Sequence, residues 1–265
     1  MGLSRRAFLG AASAVVVGAC TSARRAAPPA GPADGAATST TGTGTTSAGG
    51  APAGGPAAFV AHGPPDAKKV AFTFHGSGDP GLLHDLLGVA GRLGVPVTVF
   101  AVGSWLDQHP DLAGTILGGG HELANHTYTH PALGQAGRAA VADEIVRCRD
   151  ALTRHAGSPG AWFRPSGLEV PSALILAEAG RAGYRTVVGY DVDPLDYQDP
   201  AAATIVQRVA AGLHPGAVVS LHTGHANTVT AFEPMVAAAR QRALTPVRVS
   251  DLLARSVAGG GGSGR

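Results

Sequence analysis

Two short segments of this chain carry residue types whose spacing does chemistry. "GGHELANHTYTH", residues 119–130, sets His126 and His130 four apart. On one helix face or in a tight loop that interval lets two imidazoles converge on a metal ion. "FTFHGSGDPG", residues 72–81, sets His75 and Asp79 in one glycine-rich loop, and either can ligate a metal or take a proton. A third histidine, His222, ends the apolar run "GAVVSLH", and "YDVDPLDY" places Asp193 and Asp196 three apart. The arginine of "WFRPSG", Arg164, lies between two stretches of apolar character.

Gly76, Gly78 and Gly81 also spell G-x-G-x-x-G, the pattern of a dinucleotide-binding loop. That reading requires an acidic residue about twenty positions on, at the end of the second strand, to hold the ribose. Ala101, Val102, Gly103 and Ser104 stand there instead. A nicotinamide cofactor is therefore not expected.

The elements that must position these residues alternate. "KKVAFTF" and "VPVTVFAVG" are β-branched apolar runs and predict buried strands. "PGLLHDLLGVAGRLG" between them has helical spacing, with Pro80 at its start and Gly94 at its end. The strand "YRTVVGY", the helix "DPAAATIVQRVAAGL", the strand "GAVVSLH", the helix "TAFEPMVAAARQRA" and a last strand "PVRVS" follow. This order predicts an α/β domain with a mostly parallel sheet. The polar clusters fall after four separate strands, as in the mouth of a barrel.

In order and approximate spacing, "KKVAFTF", "VPVTVFAVGSWLDQHPDL", "GGHELANHTYTH", "WFRPSG", "YDVDPLDY" and "GAVVSLHTG" resemble the polysaccharide deacetylases of carbohydrate esterase family 4, the NodB-homology domain. The resemblance covers nearly all of residues 67–255. It implies a distorted TIM-like (β/α) barrel and metal-dependent removal of acetyl groups from N-acetylated (or O-acetylated) glycans. It further implies that His126 and His130 are metal ligands, that Arg164 orients the base, and that Asp196 holds the catalytic histidine, His222. Tyr197 replaces the family's tryptophan, and Ser220 replaces the leucine two before the histidine.

The opening loop departs most. The family reads "TFDDGP", with the general base first and a metal ligand second; this chain reads "TFHGSGDP". Two placements follow. In one, His75 is the base and Asp79 the third ligand. In the other, His75 is the third ligand and Asp79 the base. A carboxylate ligand in the inherited site, and an Arg164 that keeps His75 neutral, favour the first. Zinc accepts either donor set, with cobalt, nickel or manganese as alternatives.

The ends of the chain predict its setting. "SRRAFL" with the apolar run to Ala19 resembles a twin-arginine export signal, and "VGAC" a lipoprotein box in which Cys20 carries lipid. The expected membrane contact is that lipid alone, on the outer face of the cytoplasmic membrane. Residues 20–66 predict an Ala/Gly/Thr/Pro tether, 67–256 the catalytic domain and 257–265 a disordered tail. The formal net charge of +2, with no basic stripe, argues against nucleic acid as a partner. With Cys20 lipidated, Cys148 is a lone buried thiol and no disulfide forms. A monomer acting on an N-acetylated glycan is the expected state; the rival reading is a glycan-binding envelope lipoprotein without turnover.

Overall fold

The computed structural model describes residues 55–254. The expected export signal, Cys20 and the C-terminal tail lie outside these residues. Strands β1 (Ala58–Val60), β2 (Lys69–Gly76), β3 (Thr98–Ala101), β4 (Glu122–Asn125), β5 (Thr186–Val188), β6 (Val218–His222) and β7 (Thr245–Pro246) all pair in parallel. Helices α1 (Pro80–Leu93), α2 (Gly103–Gln108), α3 (Asp111–Gly118), α4 (Arg138–Ala156), α5 (Ala173–Arg181), α6 (Ala202–Gly212), α7 (Ala226–Gln241) and α8 (Val249–Leu253) connect and cover them.

The sheet runs β4-β3-β2-β6, and single bridges continue it around a ring. Phe163 pairs with Asn125 on one side and Val187 on the other, and Val192, just past β5, pairs with Val219 of β6. This is a distorted (β/α) barrel, as the sequence pattern predicts. Side chains of one parity line its interior: Ala71, Thr73 and His75 on β2 stand level with Val218, Ser220 and His222 on β6. The opposite parity, Val70, Phe72 and Phe74, packs outward with Leu83 and Leu86 of α1 and Phe232 of α7. The period of two thus puts the apolar set against the helices and leaves the inner set free for chemistry.

Two expectations about the chain ends are corrected. The ordered domain begins before residue 67, because β1 pairs with β5 over Ala58–Val60, and Ala57 is buried against α5. The predicted strand "PVRVS" is a two-residue strand followed by α8. Pro246 has no amide to extend a ladder. Val249 and Leu252, three apart, instead turn inward onto Ala71, Phe100 and Val218 and plug the closed end of the barrel. Helix α1 starts at Pro80 and ends at Gly94, whose φ of 63° is the left-handed cap the sequence predicts.

Phe232 sits edge-on to both Phe72 and Phe74, with ring centroids 5.5 and 5.6 Å apart, and clamps α7 to β2. Replacing Phe232 by Ala is expected to cost about 3–5 kcal/mol. A urea unfolding series checks this, through a lower midpoint at unchanged slope.

Candidate metal and catalytic site

The inner ends of β2, β4 and β6 bring the histidines together. His75 is the penultimate residue of β2, His126 follows β4 directly, and His222 closes β6. His75, His126 and His130 each offer a ring nitrogen, and the three lie within 4.8 Å of one another. His126 Nδ1 lies 2.9 Å from the carbonyl oxygen of Arg164, a pure acceptor, so Nδ1 carries the proton. Its Nε2 lone pair then faces His130 Nε2 at 3.1 Å. Outward-held tautomers of this kind are how metal-ligating histidines are oriented.

His75 is placed between two systems. Its Nδ1 is 3.0 Å from His222 Nε2. Its Nε2 is 3.3 Å from Arg164 Nη1 and 3.5 Å from Ser220 Oγ. His222 in turn donates from Nδ1 to Asp196 Oδ1 at 2.8 Å. The Asp196 carboxylate is fully buried and its other oxygen accepts from His222 N at 2.8 Å and Thr228 Oγ1 at 2.7 Å. Leu195, in the left-handed region at φ 57°, makes the turn that sends this carboxylate inward.

The electrostatics keep the imidazoles neutral. Burial lowers the His75 pKa well below the ordinary histidine value, and His126, His222, Arg164 and His130 lower it further. Burial does the same for His126, with His130 as the next cause, and for His130, with His222 next. Neutral imidazole is the form that binds a cation. Arg164 is itself fully buried, and desolvation pulls its pKa down to about 9, which leaves it charged at neutral pH.

Asp79, expected as a ligand or as the base, does not join this group. It is exposed and caps α1, its Oδ1 accepting from Gly81 N at 2.8 Å. The two extra loop residues and Pro80 at the first helical position commit the carboxylate to the helix start. The loop itself is fixed: Trp105 Nε1 donates to Gly78 O at 2.9 Å, and Gly78 (φ 86°) lies so close to Gly224 that a Cβ there would meet its Cα at 2.9 Å.

Sequence reasoning gave no role to the residues that hold the histidine loop. Asn125 Oδ1 accepts from Thr127 N at 2.9 Å, while its Nδ2 donates to Ile145 O and to Tyr184 Oη. Thr127 Oγ1 also reaches Ser166 Oγ at 3.1 Å, and Ser166 donates to Pro131 O. Glu144, from α4, takes three further donors. Cys148, on the same helix, is buried, its thiol pushed up to about 12 by burial.

Above the histidines opens a cavity of about 430 Å³, lined by His75, His130, Tyr190, Tyr197, Ser220 and His222 among others. A parallel barrel whose mouth holds three converging imidazoles and a carboxylate-held fourth defines the class: a hydrolase-type site open to a small-molecule-sized cavity. Comparison with known proteins then gives the family. Residues 62–187 match the Polysaccharide deacetylase family. A chitooligosaccharide deacetylase of Sinorhizobium fredii is 31% identical over 205 residues, 72% of this chain and 91% of that protein. The family 4 carbohydrate esterase of Streptomyces lividans, solved in complex with acetate, is 31% identical with a TM-score of 0.62, over 67% of this chain and 90% of that one. A CE4 family pseudoenzyme from Bacillus anthracis shares the fold alone, at 22% identity and a TM-score of 0.70, over 74% of this chain and 68% of that one. The chain belongs to the polysaccharide deacetylase family.

The neutral histidines have a consequence for stability. Unfolded histidines take up protons near pH 6.5. The folded cluster, with lowered pKa values, does not. The unfolded state then binds more protons, so stability falls as pH drops below about 6.5. Urea unfolding of chelator-treated protein between pH 7.5 and 5, a range chosen above ordinary carboxylate titration (about pH 4), checks this.

Proposed function

We propose that this chain is a metal-dependent deacetylase of N-acetylated glycans, with His75, His126 and His130 holding a divalent cation, zinc first among the candidates. The observation that carries the reading is the convergence of three neutral imidazoles beside an Asp-held fourth on one cavity. The names of the relatives support the acetylated-sugar substrate class. All-nitrogen donor sets suit zinc, cobalt and nickel better than calcium or magnesium.

Arg164 Nη1, which only donates, faces His75 Nε2 at 3.3 Å, and His75 Nδ1 faces His222 Nε2 at 3.0 Å; binding an ion through Nδ1 would require the His75 proton to move to Nε2, where Ser220 Oγ at 3.5 Å is an acceptor. Ser220 thus supplies the acceptor that a leucine at this position would lack. The ion, when bound, polarises the acetamide carbonyl and makes water a better nucleophile. The protein's own residues do the rest. His222, with Nδ1–H fixed on Asp196, presents Nε2 as the proton carrier. It takes a proton as the water oxygen bonds to the carbonyl carbon, and returns it to nitrogen as the C–N bond breaks, leaving acetate and the amine. Arg164 stays buried beneath His75, as a positioning group. Asp79 serves the helix.

Acetate release from chitooligosaccharides and peptidoglycan fragments, before and after chelation and with metal restored, tests the reading. Activity should disappear with chelation and return with zinc or cobalt. His126→Ala and His130→Ala should each lose stoichiometric metal and activity. His222→Ala should keep metal and lose about 10²–10⁴-fold in kcat. Asp79→Ala should keep metal and activity while losing about 1 kcal/mol of stability. Retained metal in the His126, His130 double substitution would sink the assignment. A glycan-binding protein without turnover is the second reading, favoured by the exposed position of Asp79. Saturable glycan binding with no acetate from any substrate in the presence of metal would establish it.

A further inference from the structure

The loop that carries His126 and His130 is under backbone strain. Thr127 (φ 69°) and His130 (φ 62°) both lie in the left-handed region, which side chains other than glycine's disfavour. Such a conformation persists only where its surroundings impose it. One side chain contacts both residues between the two strained positions. Glu144, on the inner face of α4 and buried, accepts from Tyr128 N and Thr129 N at 2.8 Å each through Oε2, and from Thr129 Oγ1 at 2.6 Å through Oε1. Outside the loop, Asp107 accepts from Tyr128 Oη at 2.9 Å, which fixes the same turn from the solvent side.

Resting on the reading that the three histidines hold a metal ion, we propose that Glu144 is a positioning residue for it: its carboxylate clamps the Tyr128–Thr129 turn so that His126 and His130 point at one ligand site. Glu144 touches neither histidine. It acts through two backbone amides and a hydroxyl. A carboxylate taking three donors at these distances is a charge-assisted clamp of the stronger kind. Without it the two amides would lose their buried acceptor, and the loop would relax toward ordinary φ values, separating the imidazoles.

The geometry also says which substitutions preserve the clamp. Glutamine can accept both amides at its oxygen and donate from its NH₂ to Thr129 Oγ1, so Glu144→Gln keeps the anchor and removes the charge. Glu144→Met keeps bulk and removes every acceptor. Thr129→Val, at an exposed position, removes a single hydrogen bond.

The test is zinc affinity of the full chain, read by competition with a chromophoric chelator, alongside the thermal midpoint of each metal-free variant. Glu144→Met should bind zinc about 10–100-fold more weakly than the unsubstituted chain. Thr129→Val should lose roughly five-fold. Glu144→Gln should stay within about three-fold of the unsubstituted chain, well under the loss of an outer partner of a metal ligand. A role in stability alone would lower the thermal midpoint and leave the affinity of folded protein unchanged. Unchanged zinc affinity in Glu144→Met would overturn the proposal; should that variant not fold, unchanged affinity in Thr129→Val would do so. Equal losses in the Gln and Met variants would overturn it too, since charge and not the clamp would then be responsible. Absence of zinc binding in the unsubstituted chain would instead refute the metal reading itself.

Discussion

A buried guanidinium governs this site. Arg164 is fully enclosed in the barrel, and among the described residues no carboxylate pairs with it. Burying an unpaired charge is costly unless every donor finds an acceptor. Here Nε donates to Val188 O at 3.0 Å, Nη2 to Gly189 O at 2.7 Å and Nη1 to Thr73 Oγ1 at 2.8 Å, while the guanidinium carbon stands 4.0 Å from the centre of the Phe100 ring. Thr73 passes the bond on to Val219 O at 2.7 Å. Arg164 therefore ties β2 to the end of β5 below the mouth, with Thr73 extending the chain of bonds to β6, and its backbone carbonyl sets the tautomer of His126 above. The same charge opposes protonation of His75 and His126. Burial is the first cause of the neutral imidazoles, and this charge adds to it.

The remaining functional groups are held from outside the cavity. His222 leans on Asp196, whose carboxylate comes from a turn with left-handed Leu195. The His126–His130 turn, with two left-handed residues, rests on Asn125, Ser166 and Glu144. In both cases unfavourable backbone sits next to the chemistry, and buried hydrogen bonds to neighbouring elements offset it. Loops can carry a site with little positional freedom when their backbone polar groups are consumed by rigid helices in this way.

Much of this arrangement is legible in the chain. The alternation of strand and helix, the barrel, and the placing of His75, His126 and His222 at strand ends follow from apolar periodicity and the polar residues that interrupt it. The histidine-loop spacing is legible as well, because two imidazoles four positions apart is a geometric statement. In "GDPG" the local signal, an aspartate directly before a proline that starts α1, is a helix cap, and it prevails over the inherited metal-site reading of Asp79. Other features are set by tertiary context. β1 is only Ala58-Phe59-Val60 at the end of a long run of small residues, too short to announce a strand, and it is its parallel pairing with β5 that defines it. "PVRVS" has strand composition, yet the closed end of the barrel needs a plug, and burial of Val249 and Leu252 overrides propensity. Glu144 reads in sequence as one more polar residue of an amphipathic helix; only the fold sets it beneath a strained turn.

The two departures from the family pattern at the cavity floor are in contact. His75 and Ser220 come from neighbouring strands, and Ser220 Oγ is 3.5 Å from His75 Nε2. An aspartate in the place of His75 would form an ion pair with Arg164 and need no further acceptor. An imidazole there forms no ion pair, and to present a lone pair at Nδ1 it must direct a proton from Nε2 past a guanidinium. Ser220 is the acceptor within reach on that side. Under the proposed assignment the exchange also changes the charge of the ligand set. Three neutral imidazoles offset none of a dication's charge, and Arg164 adds repulsion. Such a site depends on the covalency and directionality of nitrogen ligation more than on Coulomb attraction. That dependence favours borderline-soft ions with a strong preference for imidazole over hard ions that seek carboxylates.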